Sequence, residues 1–259
     1  MIPKIIHYCW FGGNPLPESA LKCIESWKKY CPDYEIKEWN ESNFDVSANR
    51  YTHEAYQKKK YAFVTDYVRL YVLNNYGGIY MDTDVEVTKS LDDFLKYSAF
   101  SGFEQGNKIP TGIIGAEAGN KWIGLLIDDY DNRAFIRTNG EMDLTTNVAL
   151  ITKKTVANYS IKLNNTEQHL DDVSLFPFDY FCAKNFTDGK IVTTQNTYTI
   201  HHFAGSWHDD EQNYASKLKQ KYIKIFPRKI AVILATAISK VKYEGLQSCI
   251  KWIFKINKG

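Results

Sequence analysis

Apolar positions in this chain repeat with two periods, one of two residues and one near 3.6, and the two kinds of segment alternate along its first hundred positions. Lys4-Ile5-Ile6-His7-Tyr8-Cys9-Trp10 is a short apolar run that stops at Phe11-Gly12-Gly13-Asn14-Pro15, a strong turn signal. It predicts a buried first strand. From Pro17 to Lys29 the residues Leu21, Ile24 and Trp27 fall at helical spacing, and Pro17 suits a first turn. Tyr34 to Trp39 alternates with period two, as a half-exposed strand does. Strand, helix and strand in that order predict an α/β sheet.

Ala55 to Lys60 reads as a short polar helix. Phe63, Val64, Tyr67, Val68, Leu70, Tyr71, Val72 and Leu73 then make a helix that is apolar round most of its circumference, hence buried. Gly77-Gly78 supplies a left-handed stop. Ile79-Tyr80-Met81 is a short apolar strand that delivers Asp82-Thr83-Asp84, and Val85 and Val87 continue extended structure. Strands are expected at 98–103, 111–116, 173–176 and 197–202, and helices from Asn120, as cap, to Tyr130 and from Val148 to Lys154. From about Asn213 the pattern turns helical and basic, broken by Pro227.

Composition changes this picture in two places. The chain has 259 residues with 44% hydrophobic and 24% charged, an ordinary globular balance. Its five cysteines are odd in number and scattered, with no C-x-x-C pair. That argues against a zinc site or disulfide framework and, with no signal peptide evident, favours a cytoplasmic location. The second place is charge: from Lys217 onward there are eleven Lys or Arg against one acidic residue, Glu244, while residues 1–216 carry a net −8. A basic tail on an acidic body points to an anionic partner for the tail. Nothing in the body suggests nucleic acid.

Two carboxylates one residue apart at the end of a buried strand are costly unless a cation meets them. On an extended backbone Asp82 and Asp84 point to the same side and can share one Mg²⁺ or Mn²⁺, which commonly shares its coordination with substrate phosphates. Strand carboxyl ends are also where open α/β sheets bind ligands. On the preceding helix Asp66 and Arg69 lie three apart on one face. They form either an intrahelical ion pair or a clamp for hydroxyls and phosphate oxygens. A D-x-D after an apolar strand also fits aspartyl-phosphate hydrolases superficially, with Asp82 as nucleophile. There the motif follows the first strand, whereas here it follows some eighty residues. An EF-hand fails because the sixth position, Val87, is not glycine.

Three segments, IPKIIHYCWFGG, KKYAFVTDYVRLYVLNNYGGIYMDTDVEV and TYTIHHFAGSW, resemble in consistent order the bacterial members of glycosyltransferase family 32. The resemblance spans about Ile2 to Trp207. It implies a GT-A-type fold, a Rossmann-like nucleotide-binding half joined to an acceptor half in one sheet, over residues 1–212, with 213–259 as a basic amphipathic tail. It implies metal-dependent, retaining transfer from a nucleoside-diphosphate sugar, UDP-linked by preference, to a glycan or lipid-linked glycan acceptor in bacterial surface polysaccharide synthesis. By the same resemblance Trp10 stacks on the nucleobase, Asp66 contacts ribose or donor sugar, and Arg69 stands near the transferred sugar. Asp82 bridges sugar nucleotide and metal, and Asp84 is the direct ligand of Mn²⁺ or Mg²⁺. His202 or His201 reaches the metal or diphosphate, with H-F-A-G favouring His202. Ser206 and Trp207 close the site, and Asn147 faces the donor sugar or acceptor. The rival classes are a D-x-D phosphohydrolase or phosphotransferase and a non-catalytic glycan-binding protein. For the tail two readings stand: a helical pair packed on the body, or attachment to the inner face of an anionic membrane.

Overall fold

Thirteen residues after the first turn signal the chain has already completed a strand and most of a helix, and this rhythm builds the sheet. The computed structural model describes residues 1–104, 106–205 and 210–256. Among them are β1 (Ile5–Cys9), α1 (Glu18–Tyr30), β2 (Glu35–Trp39), α2 (Arg50–Gln57), α3 (Tyr61–Tyr76), β3 (Gly78–Met81) and β4 (Val85–Val87). Then come β5 (Ala99–Gly102), β6 (Ile113–Ala116), α4 (Lys121–Ile127), α5 (Asn147–Asn158), β7 (Gln168–His169), β8 (Ser174–Phe176), α6 (Phe178–Phe181) and β9 (Thr199–His201). Three helices end the chain: α7 (Asp210–Tyr222), α8 (Arg228–Glu244) and α9 (Leu246–Ile256).

Seven strands form one sheet in the order β2-β1-β3-β6-β5-β8-β7, and β4 pairs with β9 in a separate two-stranded sheet. β2, β1 and β3 run parallel, whereas β6 joins β3 antiparallel and opens a mixed half. The α/β class expected is the one observed, with the parallel half and mixed half that the GT-A resemblance implies. Each face of the sheet carries its own core. Tyr80 of β3 packs among α2, α3 and α4 residues such as Tyr51, Val68 and Trp122. Ile79 and Met81 pack on the other face with Ile24 and Trp27 of α1 and with Phe94 and Phe100. Burial on both faces is why β3 reads as an unbroken apolar run.

The glycine pair after α3 sets where β3 begins. Gly77 and Gly78 adopt φ of +65° and +105°. A Cβ on Gly78 would lie 2.7 Å from the Ile5 carbonyl oxygen of β1. His7 fastens the same corner: its Nε2 bonds the Gly77 carbonyl at 2.8 Å, and the Trp39 indole donates to its Nδ1 at 3.0 Å. Both ring nitrogens are used, and burial pushes the His7 pKa down to about 4, so the ring is neutral. We expect Gly78→Ala to cost at least about 2 kcal/mol, from the disallowed φ and the backbone clash together. The fall in urea midpoint at constant slope measures it.

Two local expectations differ. The short helix begins at Arg50, not Ala55, because the Asn49 side chain caps it by accepting from Tyr51 and Thr52. Asp82 to Asp84 is not extended: the Val85 amide donates to the Asp82 carbonyl at 3.0 Å, closing a reverse turn between β3 and β4. By contacts the chain divides into two compact units, Met1–Lys184 with Ile191–Phe203, and Asn185–Lys190 with Ala204–Gly259. The first holds both sheets. In the second, α8 packs against α7, with the Ser239 hydroxyl donating to the Glu211 carbonyl at 2.8 Å. All five cysteines are buried free thiols. No helix among the described residues is long and apolar enough to cross a membrane.

Candidate metal centre

Asp82 and Asp84 stand on the turn that follows β3, and their surroundings divide them. The Asp82 carboxylate accepts from the Tyr80 hydroxyl at 2.7 Å and pairs with Arg69 at 3.2 Å. Asp84 instead faces His201 of β9, whose Nε2 is 3.3 Å from its carboxylate oxygen. The pairing of β4 with β9 makes this contact, since Val85 lies opposite His201 and the His202 amide donates to the Asp84 carbonyl. One ligand atom from each of Asp82, Asp84 and His201 can be chosen so that all lie within 4.8 Å of one another. Two carboxylates and an imidazole suit Mn²⁺, or Mg²⁺ with fewer nitrogen contacts.

The preference of the H-F-A-G pattern for His202 does not match this placement. Neighbours on a strand point to opposite sides, and the register gives the acids to His201. His202 bonds Glu86 at 2.8 Å. His201 is also pressed close: a Cβ on Gly112 would come within 2.7 Å of its Nδ1, so only glycine lets the ring sit here. Burial would lower the His201 pKa, but the Asp84 carboxylate outweighs it and holds the pKa well above the ordinary imidazole value. Its Nδ1 is buried, and the Cys182 thiol lies within bonding reach of the ring.

Arg69 joins the D-x-D to α3. It is 4% exposed and bonds the Thr111 carbonyl at 2.8 Å, the Thr65 carbonyl at 3.3 Å and the Asp66 carboxylate at 3.1 Å, besides Asp82. Of five guanidinium N–H groups three are engaged in these hydrogen bonds, while Asp82 is met as an ion pair. The Tyr80 ring lies 4.7 Å beneath the guanidinium carbon. Arg69 therefore orders two carboxylates, as an intrahelical pair and as a bridge to Asp82 at once. Asp66 is held in its side-chain setting by burial above all, which pushes its pKa up to about 7 despite Arg69.

Around Asp66 the structure places residues that read as plain core in the sequence. Tyr51 of α2, Tyr130 and Arg133 lie close enough for their charges to act on one another and on Asp66. The Arg133 guanidinium sits 4.9 Å from the Tyr51 ring centre and 5.2 Å from that of Tyr130, and it bonds Asp143 at 2.9 Å. Asn147, the first residue of α5, is 4% exposed and abuts Asp66. The hydroxyls of Tyr51 and Tyr130 are buried without a hydrogen-bond partner, while the buried Asn147 amide reaches the Asp66 carboxylate. Each such hydroxyl costs roughly 1–3 kcal/mol, so two beside one carboxylate mark a place that suits a hydroxyl-rich ligand. No sequence signal separates these tyrosines from ordinary core tyrosines.

Trp10 follows Cys9 at the end of β1, and the Cys9 thiol feels the charges of Arg69, Asp82 and Asp66. The indole itself is half-buried, with its N–H donating to the Asn14 carbonyl at 2.6 Å. It stands at the same strand end as the acids without touching them among the described contacts. Ser206 and Trp207 lie outside the described residues.

Residues 17–101 match the family described as glycosyltransferase sugar-binding region containing DXD motif. The chain resembles the DXD glycosyltransferases. Over 138 residues it is 32% identical to inositol phosphoceramide mannosyltransferase 3 of Schizosaccharomyces pombe, covering 52% of this chain and 38% of that protein. Thus it spans less than half the length of that curated relative. A glycosyltransferase of Acanthamoeba polyphaga mimivirus is 26% identical over 216 residues, 80% of this chain and 84% of the viral one. Among solved structures, the PaToxG glycosyltransferase superposes with a TM-score of 0.47 at 21% identity, over 61% of this chain and 70% of its own. The D-x-D of this chain, Asp82-Thr83-Asp84, falls inside the matched region, and so do Asp66 and Arg69.

Proposed function

We propose that this chain transfers a sugar from a nucleoside-diphosphate sugar, UDP-linked by preference, to a glycan or lipid-borne acceptor, using a divalent ion held by Asp82, Asp84 and His201. The convergence of the D-x-D acids with His201, inside a region that matches the DXD family, carries this reading. When bound, the ion supplies Lewis-acid stabilisation to the departing diphosphate. In this reading Asp84 and His201 are direct ligands. Asp82, with one oxygen already turned toward Arg69 and Tyr80, keeps the other for the ion or a ribose hydroxyl.

Arg69 positions Asp66 and Asp82. Asp66 and Asn147, with the unmet hydroxyls of Tyr51 and Tyr130, receive the hydroxyls of the donor sugar. Trp10 stacks on the base. Transfer proceeds with retention: the acceptor oxygen attacks from the face the diphosphate leaves, and its proton goes to a diphosphate oxygen. Relatives named as acting on inositol phosphoceramide support a lipid-borne acceptor as one member of that class. The aspartyl-phosphate alternative is disfavoured, because residues 17–101, which hold Asp82, match a glycosyltransferase region.

Thermal denaturation with UDP- or GDP-sugars, each with and without Mn²⁺, tests the reading. We expect one nucleotide sugar to raise Tm only when Mn²⁺ is present, a rise set by its occupancy of the folded state. Slow Mn²⁺-dependent hydrolysis of the same donor should accompany it. Phosphate release from simple monoesters, with no response to any sugar nucleotide, would instead favour the phosphohydrolase.

A further inference from the structure

Helices α8 and α9 leave apolar faces uncovered in a chain that otherwise buries its large apolar side chains. Among the described residues, twelve of the twenty-one exposed large hydrophobic side chains fall between Ile225 and Phe254. On α8 the buried positions are Ala231, Ala235 and Ser239, one turn apart, and these face α7. The opposite side carries Ile230, Ile233 and Val241, exposed by 46%, 47% and 43%. On α9 only Cys249 is fully buried, while Leu246, Ile250, Ile253 and Phe254 form one stripe at helical spacing, exposed by 42% to 65%.

Basic residues border these stripes. Lys229 precedes Ile230, Lys242 follows Val241, and Lys251 follows Ile250, all exposed. Eleven basic residues against one acidic one, from Lys217 onward, make the whole segment strongly cationic. Apolar stripes edged by lysine, on helices too short or too charged to span a bilayer, are what an interfacial segment needs. Lysine stems can lie along the apolar surface while their ammonium groups reach lipid phosphates.

We propose that α8 and α9 dock this chain on a bilayer surface rich in anionic lipid, apolar stripes inserted shallowly and lysines at headgroup level. Charge decides against a face-to-face pairing with a second copy of this chain, since two such faces would bring like charges together. Docking is a property of the last helices and needs no sugar nucleotide, so it is read independently of the transfer reaction.

The full chain is floated with phosphatidylcholine vesicles, with and without phosphatidylglycerol, and compared with two variants. One is Lys229→Gln/Lys242→Gln/Lys251→Gln, and the other is Ile250→Ser/Phe254→Ser. Wild type should float with the anionic vesicles only, and added salt should release it. At about fivefold per lysine, the triple variant should bind about a hundredfold more weakly. The serine variant should lose flotation while its Tm stays within a degree or so of wild type, as exposed substitutions generally allow. Equal recovery on neutral and anionic vesicles, or no flotation on either, overturns the proposal. So does a wild-type dimer in solution that the serine variant breaks, which would assign the face to a second copy.

Discussion

Asp84→Asn should leave a folded protein that has lost metal-dependent transfer. The asparagine keeps the volume and one acceptor oxygen of the aspartate but removes the charge that faces His201 and that the proposed divalent ion would meet. Carboxylate oxygens are the preferred ligands of Mn²⁺ and Mg²⁺, and a neutral amide is a much poorer one. The loss of donor turnover should be on the order of a thousandfold at fixed Mn²⁺, a few kcal/mol of transition-state stabilisation. Because Asp84 is only partly buried on a turn, the urea midpoint should move little. Full activity of the variant across a Mn²⁺ titration would remove Asp84 from the site. A similar loss in His201→Ala, with His202→Ala near wild type, would separate the two histidines.

The second large effect runs in opposite directions for stability and activity. Asp66 is a carboxylate whose pKa is pushed up to about 7 by burial, even with Arg69 beside it. In the unfolded chain it titrates near an ordinary aspartate, about 3.9. The folded state therefore holds the proton more tightly, and stability falls as pH rises from about 4 to about 7. Below that window both states are protonated and the cost vanishes; above it the cost is fully present. Asp66→Asn should thus stabilise the metal-free protein at pH 8, by an amount on the order of a few kcal/mol, and do nothing at pH 4. Urea melts of both proteins at the two pH values measure it. The same substitution should lower kcat/KM for the donor by roughly 10- to 100-fold, the worth of hydrogen bonds to a charged group. A variant destabilised at pH 8 would show that ionised Asp66 is held favourably by Arg69, contrary to this account.

How far the sequence carried the fold depended on whether a signal was local. The apolar run before Gly12, the alternation of Tyr34 to Trp39, the apolar helix before Gly77 and the cap at Asn120 each depend on a few neighbouring residues, and all four are found in place. The pairing of Asp66 with Arg69 was equally readable, because three residues apart on a helix means one face. What failed was register and turn geometry. Asp82 and Asp84 meet across a reverse turn and not along a strand, so their convergence depends on Arg69, Tyr80 and His201 drawing them from outside the motif. The choice between His201 and His202 is fixed by pairing with β4, more than a hundred residues upstream, which no local pattern encodes. Tyr51, Tyr130 and Arg133 went unread because a buried tyrosine with an unmet hydroxyl looks, in sequence, like any other.

The β4–β9 ladder has a consequence for how this protein comes into being. Val85 and His201 pair across an intervening stretch that contributes four strands of the main sheet, so the parallel half can be complete before β9 is synthesised. Contacts of such separation form late, after the loop-closure cost has been met. Side chains on a strand alternate, so a slip of one residue in this three-residue ladder would present His202 in place of His201 to the acids. Either register would offer the acids an imidazole, so a slip would show itself chiefly in the loss of the His202 contact with Glu86.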